Sequence, residues 1–270
     1  MSAPRHSVRR AVERWGIAVL ALIAWQLATA RAQSVYFPEP AKILQRIQEL
    51  WLNADAAHLF VNGDFLSRLL SSLSRLFLGW GTAVVVGVAA GVALGLWRRA
   101  EEYANPTLQF LRSLPVPALI PLFLVVFGTG FQMRLSLVVF AVVWPILLNT
   151  IEGVRSIEPQ LLRTGAVFRV PRSRQILLVV IPAASPKIFA GMRISLSIAL
   201  IVTILSEMVA STDGVGMGLI DAQRTFAMPD MWAYIVLFAV LGVTLNGLLM
   251  AVENRALAWH LGARRRDGGS

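Results

Sequence analysis

The sequence predicts an all-α fold, a polytopic membrane bundle of six transmembrane helices with both termini on the cytoplasmic side. Three observations predict it. Of the 270 residues 56% are hydrophobic and only 15% charged, at a mean hydropathy of +0.65, a balance too apolar for a soluble surface that must carry charge. Apolar runs recur along the chain, all but the first long enough by themselves for a bilayer core. Basic residues then fall unevenly between the connections on the two sides.

The elements follow in order. A basic start, MSAPRHSVRRAVER, gives way to the apolar run Trp15–Ala30, a first span that must borrow its flanks. The same pattern, with small Ala28, Ala30 and Ala32 behind it, also suits a cleaved signal peptide. Residues Gln33–Asp64 are polar and hold an amphipathic piece, AKILQRIQELWL, expected at the interface or packed on the bundle. Phe65–Trp97 begins with Arg68, Ser71, Ser72 and Arg75 and continues as an uncharged span. Within it Ala83, Gly87, Gly91 and Gly95 fall four apart, so one face of small residues invites close approach by another helix. After a polar turn, Arg98–Tyr103, the third run Asn105–Phe127 contains Pro106, Pro115, Pro117 and Pro121. Proline removes a backbone donor and clashes with the preceding turn, so this helix is expected to break around Ser113–Pro121. A break exposes backbone polar groups that must face protein or a water-filled cavity, which puts Ser113, Pro115 and Pro117 near a pathway or at a merely structural kink. Arg112 beside them either snorkels or pairs inside. The fourth run is Phe131–Asn149, the fifth Ile188–Met208 and the sixth Met231–Val252; the glycine-rich connection Val209–Asp230 joins the last two.

Orientation follows from the arginines and lysines. With the N-terminus inside, that side collects Arg5, Arg9, Arg10, Arg14, Arg98, Arg99, Arg155, Arg163, Arg169, Arg172, Arg174, Lys187, Arg255 and Arg264–Arg266. The other side has Arg31, Lys42, Arg46, Arg134 and Arg224. The bias places both termini in the cytoplasm, and it explains the net charge of +10 without a nucleic-acid partner.

Enzyme chemistry finds no footing. HExxH, GxSxG and GxxxxGK[ST] are absent, so an ATP-driven step would need a separate nucleotide-binding subunit. There is no cysteine, and His6, His58 and His260 are scattered, which leaves no metal site to propose. No chain of ionisable residues runs through the spans as a proton relay would. Glu207, at the end of the fifth run, is a carboxylate beside an apolar core. It either contacts a gate or solute, or sits bonded to a partner at a helix end.

The stretch Ile151–Gly191 is the chain's basic, half-polar segment, with Ile157, Leu161, Leu162, Val167 and Phe168 at helical spacing. Charge pattern alone leaves it a solvated loop or a short amphipathic helix. Its neighbours, SLPVPALIPL, WPILLNTIEGVRSIEP, VVIPAASPKIFAGMRISL and SEMVASTDGVGMGLIDAQ, resemble the inner-membrane permeases of bacterial ABC importers, and more narrowly the nitrate/sulfonate/taurine branch, over Leu66–Val252. The resemblance implies an N-terminal helix plus a five-helix type I importer core. It divides the chain into residues 1–64, a first span with a periplasmic amphipathic connection; 65–252, the permease core, with a coupling helix at about 157–171; and a basic cytoplasmic tail, 253–270.

The resemblance also implies the roles. The coupling helix seats in a groove of an ATPase subunit, through Glu158, Leu161, Leu162, Arg163, Gly165, Phe168, Arg169 and Pro182. Aligning back from Pro182 puts Arg163, Thr164 and Gly165 where the family has Glu-Ala-Ala, and Arg169 where it has glycine, so the turn or its groove is unusual here. A helix is expected across Pro159–Phe168, because proline suits a first turn and Glu158 complements the helix dipole. Implied partners are two ABC ATPase subunits, which bind ATP and Mg, a solute-binding protein, a second copy of the chain as a homodimer, and membrane lipid. The chain itself has no cofactor and no catalytic residue. Between the copies the pathway would be lined by the broken third span and by the fifth, with Ser113, Pro115, Pro117, Glu207 and Ser211 as its candidates. The implied solute is a small anion such as a sulfonate, taurine or nitrate. The competing readings are an ATP-independent secondary transporter or channel, and a structural subunit of a membrane enzyme complex.

Overall fold

The computed structural model describes residues 4–52, 62–161, 168, 170–210 and 213–258, with backbone alone for 4–15 and 210. In chain order its helices are α1 (Pro4–Ala32), α2 (Pro40–Trp51), α3 (Gly63–Leu96), α4 (Arg98–Ser113), α5 (Val116–Phe127), α6 (Phe131–Arg155), α7 (Arg172–Gln175), α8 (Ile181–Ala210), α9 (Val215–Arg224) and α10 (Met228–Ala256). A π-helical turn, Ile176–Val180, joins α7 to α8. Among the described residues four helices are long and apolar enough to cross a membrane, or five if the bent pair α4 and α5 is one span; Gly16–Ala32 of α1 is a shorter apolar stretch. The chain divides into two compact units, Met1–Arg68 with Met217–Phe238, and Leu69–Gly216 with Ala239–Ser270.

In the first unit the amphipathic piece is helical as its pattern predicts. Pro40 opens α2, and Gln26 of α1 accepts the Ala41 N–H at 3.1 Å and donates to Glu39 at 2.9 Å, serving an otherwise orphaned helix start. One face of α2 buries Ile43 and Trp51; Trp51 stacks on Phe65 at 4.7 Å and meets the edge of Tyr234 at 5.4 Å. Arg46 reaches Asp230 at 2.5 Å and Glu49 at 2.9 Å, and these carboxylates, Asp230 first, push its pKa further above the usual arginine range.

In the second unit α6 is the central helix: 61% of its apolar window is buried, against 11% for α10. Met133, Leu137, Val138, Val142 and Ile146 of α6 form one core with Leu76 and Ala83 of α3, Ile120 of α5, Leu196, Ala199 and Val202 of α8, and Leu245 and Leu249 of α10. The small-residue face of α3 lies against α6. A Cβ on Gly87 would fall 3.0 Å from Ile146, on Gly91 2.5 Å from Thr150, and on Gly95 2.7 Å from Val154. Each four-residue step along α3 meets a four-residue step forward along α6, so the two helices run parallel. α8 runs the other way: Gly191 faces Pro145 and Asn149, while Gly153 faces Ala184 and Lys187. α10 in turn is antiparallel to α8, since Gly242 meets Leu200 and Glu253 pairs with Arg193.

The proline-rich run breaks as its chemistry requires. α4 ends at Ser113, α5 starts at Val116, and the two are bent by 94°. Three boundaries differ from the sequence pattern. Arg98–Tyr103 is helical rather than a turn: it lacks glycine and proline, and an Arg98–Glu102 pair at 3.0 Å supports the first turn of α4. The fifth run extends back through the π turn to Arg172. The glycine-rich connection contains α9, started by Gly214 at φ +104°.

Candidate functional site

Glu207 stands at the centre of a buried charge cluster at the C-terminal end of α8. It is wholly inaccessible. Oε1 accepts from Arg75 Nη1 at 2.7 Å; Oε2 accepts from Ser72 Oγ at 2.8 Å and from the Gly216 N–H at 3.0 Å. Ser72 Oγ accepts the Val215 N–H at 3.0 Å. The first amides of α9 are therefore satisfied by the carboxylate and the hydroxyl, where a negative charge is also favoured by the helix dipole. Arg75 goes on to Asp213, which takes Arg134 Nη1 at 3.1 Å. Two guanidinium groups thus face two carboxylates, and the cluster is neutral. That balance is what permits Glu207, Arg75 and Arg134 to be buried, where a lone charge would cost several kcal/mol, while Asp213 is half exposed.

The local sequence Gly214-Val215-Gly216 makes the cradle. A Cβ on Gly214 would lie 2.5 Å from the Glu207 carboxylate, and its φ of +104° already disfavours a side chain; a Cβ on Gly216 would lie 2.7 Å from the Ile204 carbonyl. The cluster joins the start of α3 in this unit, the first turn of α6, the end of α8 and the start of α9. Among the described residues no group of three histidine, cysteine or acidic side chains could hold a metal.

Sequence reasoning singled out Glu207 but not its partners. Ser72 and Arg75 were visible as polar residues three apart at the head of a span, and Arg134 as a charge inside the first turn of an apolar run; each needed a partner that only folding supplies. Arg193, inside the fifth run and paired with Glu253, carried the same signal and was passed over.

The other candidates lie elsewhere. Ser113, Pro115 and Pro117 are exposed at the α4–α5 break, where Ser113 Oγ donates to the Phe110 carbonyl at 2.7 Å. Glu207's hydrogen bonds and ion pairs among the described residues do not reach them. Ser211 lies outside the described residues.

At the opposite end of the bundle, α6 ends at Arg155 and Ile157 is buried against Val92, Val154, Val180, Ala184 and Ile188. This anchor fixes where the next segment starts. Residues 159–161 are helical, with the Leu161 N–H bonded to the Glu158 carbonyl at 3.0 Å. Glu158 is exposed, and so are two large apolar side chains, Leu161 at 48% and Phe168 at 75%. Leu162, Arg163, Gly165 and Arg169 lie outside the described residues. Pro182 lacks the N–H that an α-helix would direct to Leu178, and the π turn falls on the residues just before it. Pro186 likewise lacks the N–H that an α-helix would direct to the Pro182 carbonyl, and Ser185 Oγ donates to that carbonyl at 2.7 Å.

The family described as a binding-protein-dependent transport system inner membrane component matches residues 83–257. A permease named for aliphatic sulfonates transport, SsuC of Bacillus subtilis, is 31% identical over 82% of this chain and 77% of its own. The taurine transport system permease protein TauC of Escherichia coli is 27% identical over 90% and 88%. The bicarbonate transport system permease protein CmpB of Synechococcus elongatus is 30% identical over 88% and 84%. Among solved structures, a chain of the MetNI methionine ABC transporter in an inward-facing conformation superposes with a TM-score of 0.63, covering 72% of this chain and 96% of its own at 18% identity. At that identity the likeness is one of fold.

Proposed function

Because the chain belongs to the family of binding-protein-dependent transport system inner membrane components, a multi-pass bacterial inner-membrane family of ABC importer permeases, we propose that two copies of it enclose a pathway for a small anion. Two ATPase subunits bind ATP and Mg and carry out the hydrolysis, so this chain needs no catalytic residue. A solute-binding protein delivers the cargo. The relatives' names, sulfonate, taurine and bicarbonate, favour a compact anion or zwitterion. ATP binding closes the ATPases, their motion reaches the spans through the segment after α6, and the cavity between the copies switches from inward to outward facing.

Six spans with cytoplasmic termini fit this role. Parallel α3 and α6 support the count, because the chain returns to the starting side of α3 only if α4 and α5 together cross once. α8 and α10 then alternate, and α1 supplies the sixth. The observation that carries the coupling is the pair of exposed apolar side chains, Leu161 and Phe168, on a segment whose base is pinned by buried Ile157. Uncovered leucine and phenylalanine in a basic stretch of sequence suit a protein groove better than water. Glu158, Leu162, Arg163, Gly165 and Arg169 complete that contact, with Pro182 behind it. Ser113, Pro115, Pro117 and Ser211 are assigned to the pathway, while Glu207 supports it from inside the bundle.

The test replaces Leu161, Leu162 and Phe168 by glutamate in the assembled transporter. ATP-dependent uptake and co-purification of the ATPase are expected to be lost while the permease still folds. Retention of both would sink the coupling assignment.

A further inference from the structure

The first unit contains a cavity of about 610 Å³ that the transport reading does not use. Tyr36, Phe37, Phe226, Met228, Met231 and Trp232 form its wall, with Arg224 and Gln223 at its polar side. Its position is set by the spans. Tyr36 and Phe37 follow shortly after the apolar stretch Gly16–Ala32 ends, and Met228, Met231 and Trp232 are the first turn of the apolar helix Met228–Ala256. Trp232 ties the two together: its ring lies 5.1 Å from Trp25 and 6.0 Å from Phe37, and its Nε1 donates to the Tyr36 carbonyl at 3.0 Å. The cavity therefore sits at the depth where hydrocarbon meets headgroups, and its wall of tryptophan, tyrosine and phenylalanine is what that depth selects.

Two features point to an occupant. The Arg224 side chain is exposed and makes no ion pair or hydrogen bond among the described residues, although it closes α9 and lines the cavity. Stabilising the helix end explains a cation there; it does not explain a cation beside an aromatic cavity. The second feature is Phe226. α9 ends in a Schellman turn, with the Ala227 N–H on the Ala222 carbonyl at 2.9 Å and the Phe226 N–H on the Gln223 carbonyl at 3.2 Å. The residue in the left-handed position of such a turn is ordinarily glycine. Here it is phenylalanine at φ +54°, 70% exposed, on the wall of the cavity. The backbone is strained to hold an aromatic ring at that place, and such strain clusters at ligand clamps.

We propose that the cavity is a specific site for one membrane phospholipid, its phosphate on Arg224 and an acyl chain along the Phe226, Met231 and Trp232 wall. Charge complementarity selects the phosphate; the apolar wall at the membrane boundary selects the chain.

The experiment uses the full chain in mixed micelles holding equal amounts of phosphatidylglycerol and a phosphate-free galactolipid with the same acyl chains, with retained lipid counted by native mass spectrometry. The wild type is expected to retain phosphatidylglycerol in preference. Arg224→Ala, at an exposed position, is expected to cut that preference about five-fold, and Arg224→Lys to keep most of it. Phe226→Gly is expected to raise thermal stability by relieving the strained turn, yet to lower retention of both lipids. The proposal is overturned if Arg224→Ala leaves the preference unchanged, or if glycerol phosphate without chains competes as well as the lipid, which would make this a soluble-anion site. It is overturned too if Phe226→Cys cross-links to a second copy or to the solute-binding protein in vesicles, which would make the cavity a protein interface.

Discussion

Glu207→Gln separates a supporting role from a solute-contacting one. The substitution keeps the shape and acceptors for Ser72 and Gly216 but removes the charge facing Arg75, whose side chain is only 7% exposed. Two guanidinium groups would then share Asp213 alone. Removing one partner of a buried pair costs about 3–5 kcal/mol, and the retained amide puts this case near the lower end, about 3 kcal/mol. For a chain of this size that is a fall in Tm of roughly 6–12 °C. Thermal unfolding of the purified protein followed by tryptophan fluorescence reads it directly. In the double variant Arg75→Gln/Glu207→Gln both charges disappear together, and the loss is expected to be smaller than the sum of the singles by about 1–3 kcal/mol. A Glu207→Gln protein with unchanged Tm and additive doubles, but a raised KM for uptake, would refute the reasoning and make Glu207 a contact for solute.

Three further outcomes follow from the packing. Gly91→Ala places a methyl 2.5 Å from Thr150 and is expected to lose about 1–3 kcal/mol, whereas Gly81→Ala on the same helix meets nothing within 4 Å and is expected to gain up to about 1 kcal/mol in the same unfolding assay. Ser185→Ala removes the donor to the Pro182 carbonyl and is expected to cost about 1 kcal/mol. Because the chain has no cysteine, single thiols report sidedness: Phe168→Cys is expected to react with an impermeant maleimide only from the cytoplasm, and Val35→Cys, 74% exposed, only from outside.

What could be read from sequence was what depends on local chemistry. The prolines at 115, 117 and 121 act on their own turn, so the break between α4 and α5 was legible. The spacing of Gly87, Gly91 and Gly95 declared a close contact, but not that Ile146, Thr150 and Val154 would fill it, since nothing in one helix specifies the register of another. Glu207 was visible as an anomaly in an apolar run; its partner Arg75 lies 132 residues away in the chain, and the choice among several arginines is made by the fold. Gly214 and Gly216 read as a loop because glycine enrichment looks the same whether it loosens a chain or lets a backbone approach a carboxylate. The phenylalanine at 226 was invisible for a different reason: a residue that opposes local propensity cannot be found by propensity.

The central claim is that ATP-driven motion enters this chain through the segment following α6. A Phe168→Cys permease, assembled with its ATPase and treated with a short bifunctional reagent, tests it most directly. The account predicts a permease–ATPase adduct whose yield changes when ATP is bound. An adduct formed instead from Val35→Cys, with none from Phe168→Cys, would contradict it.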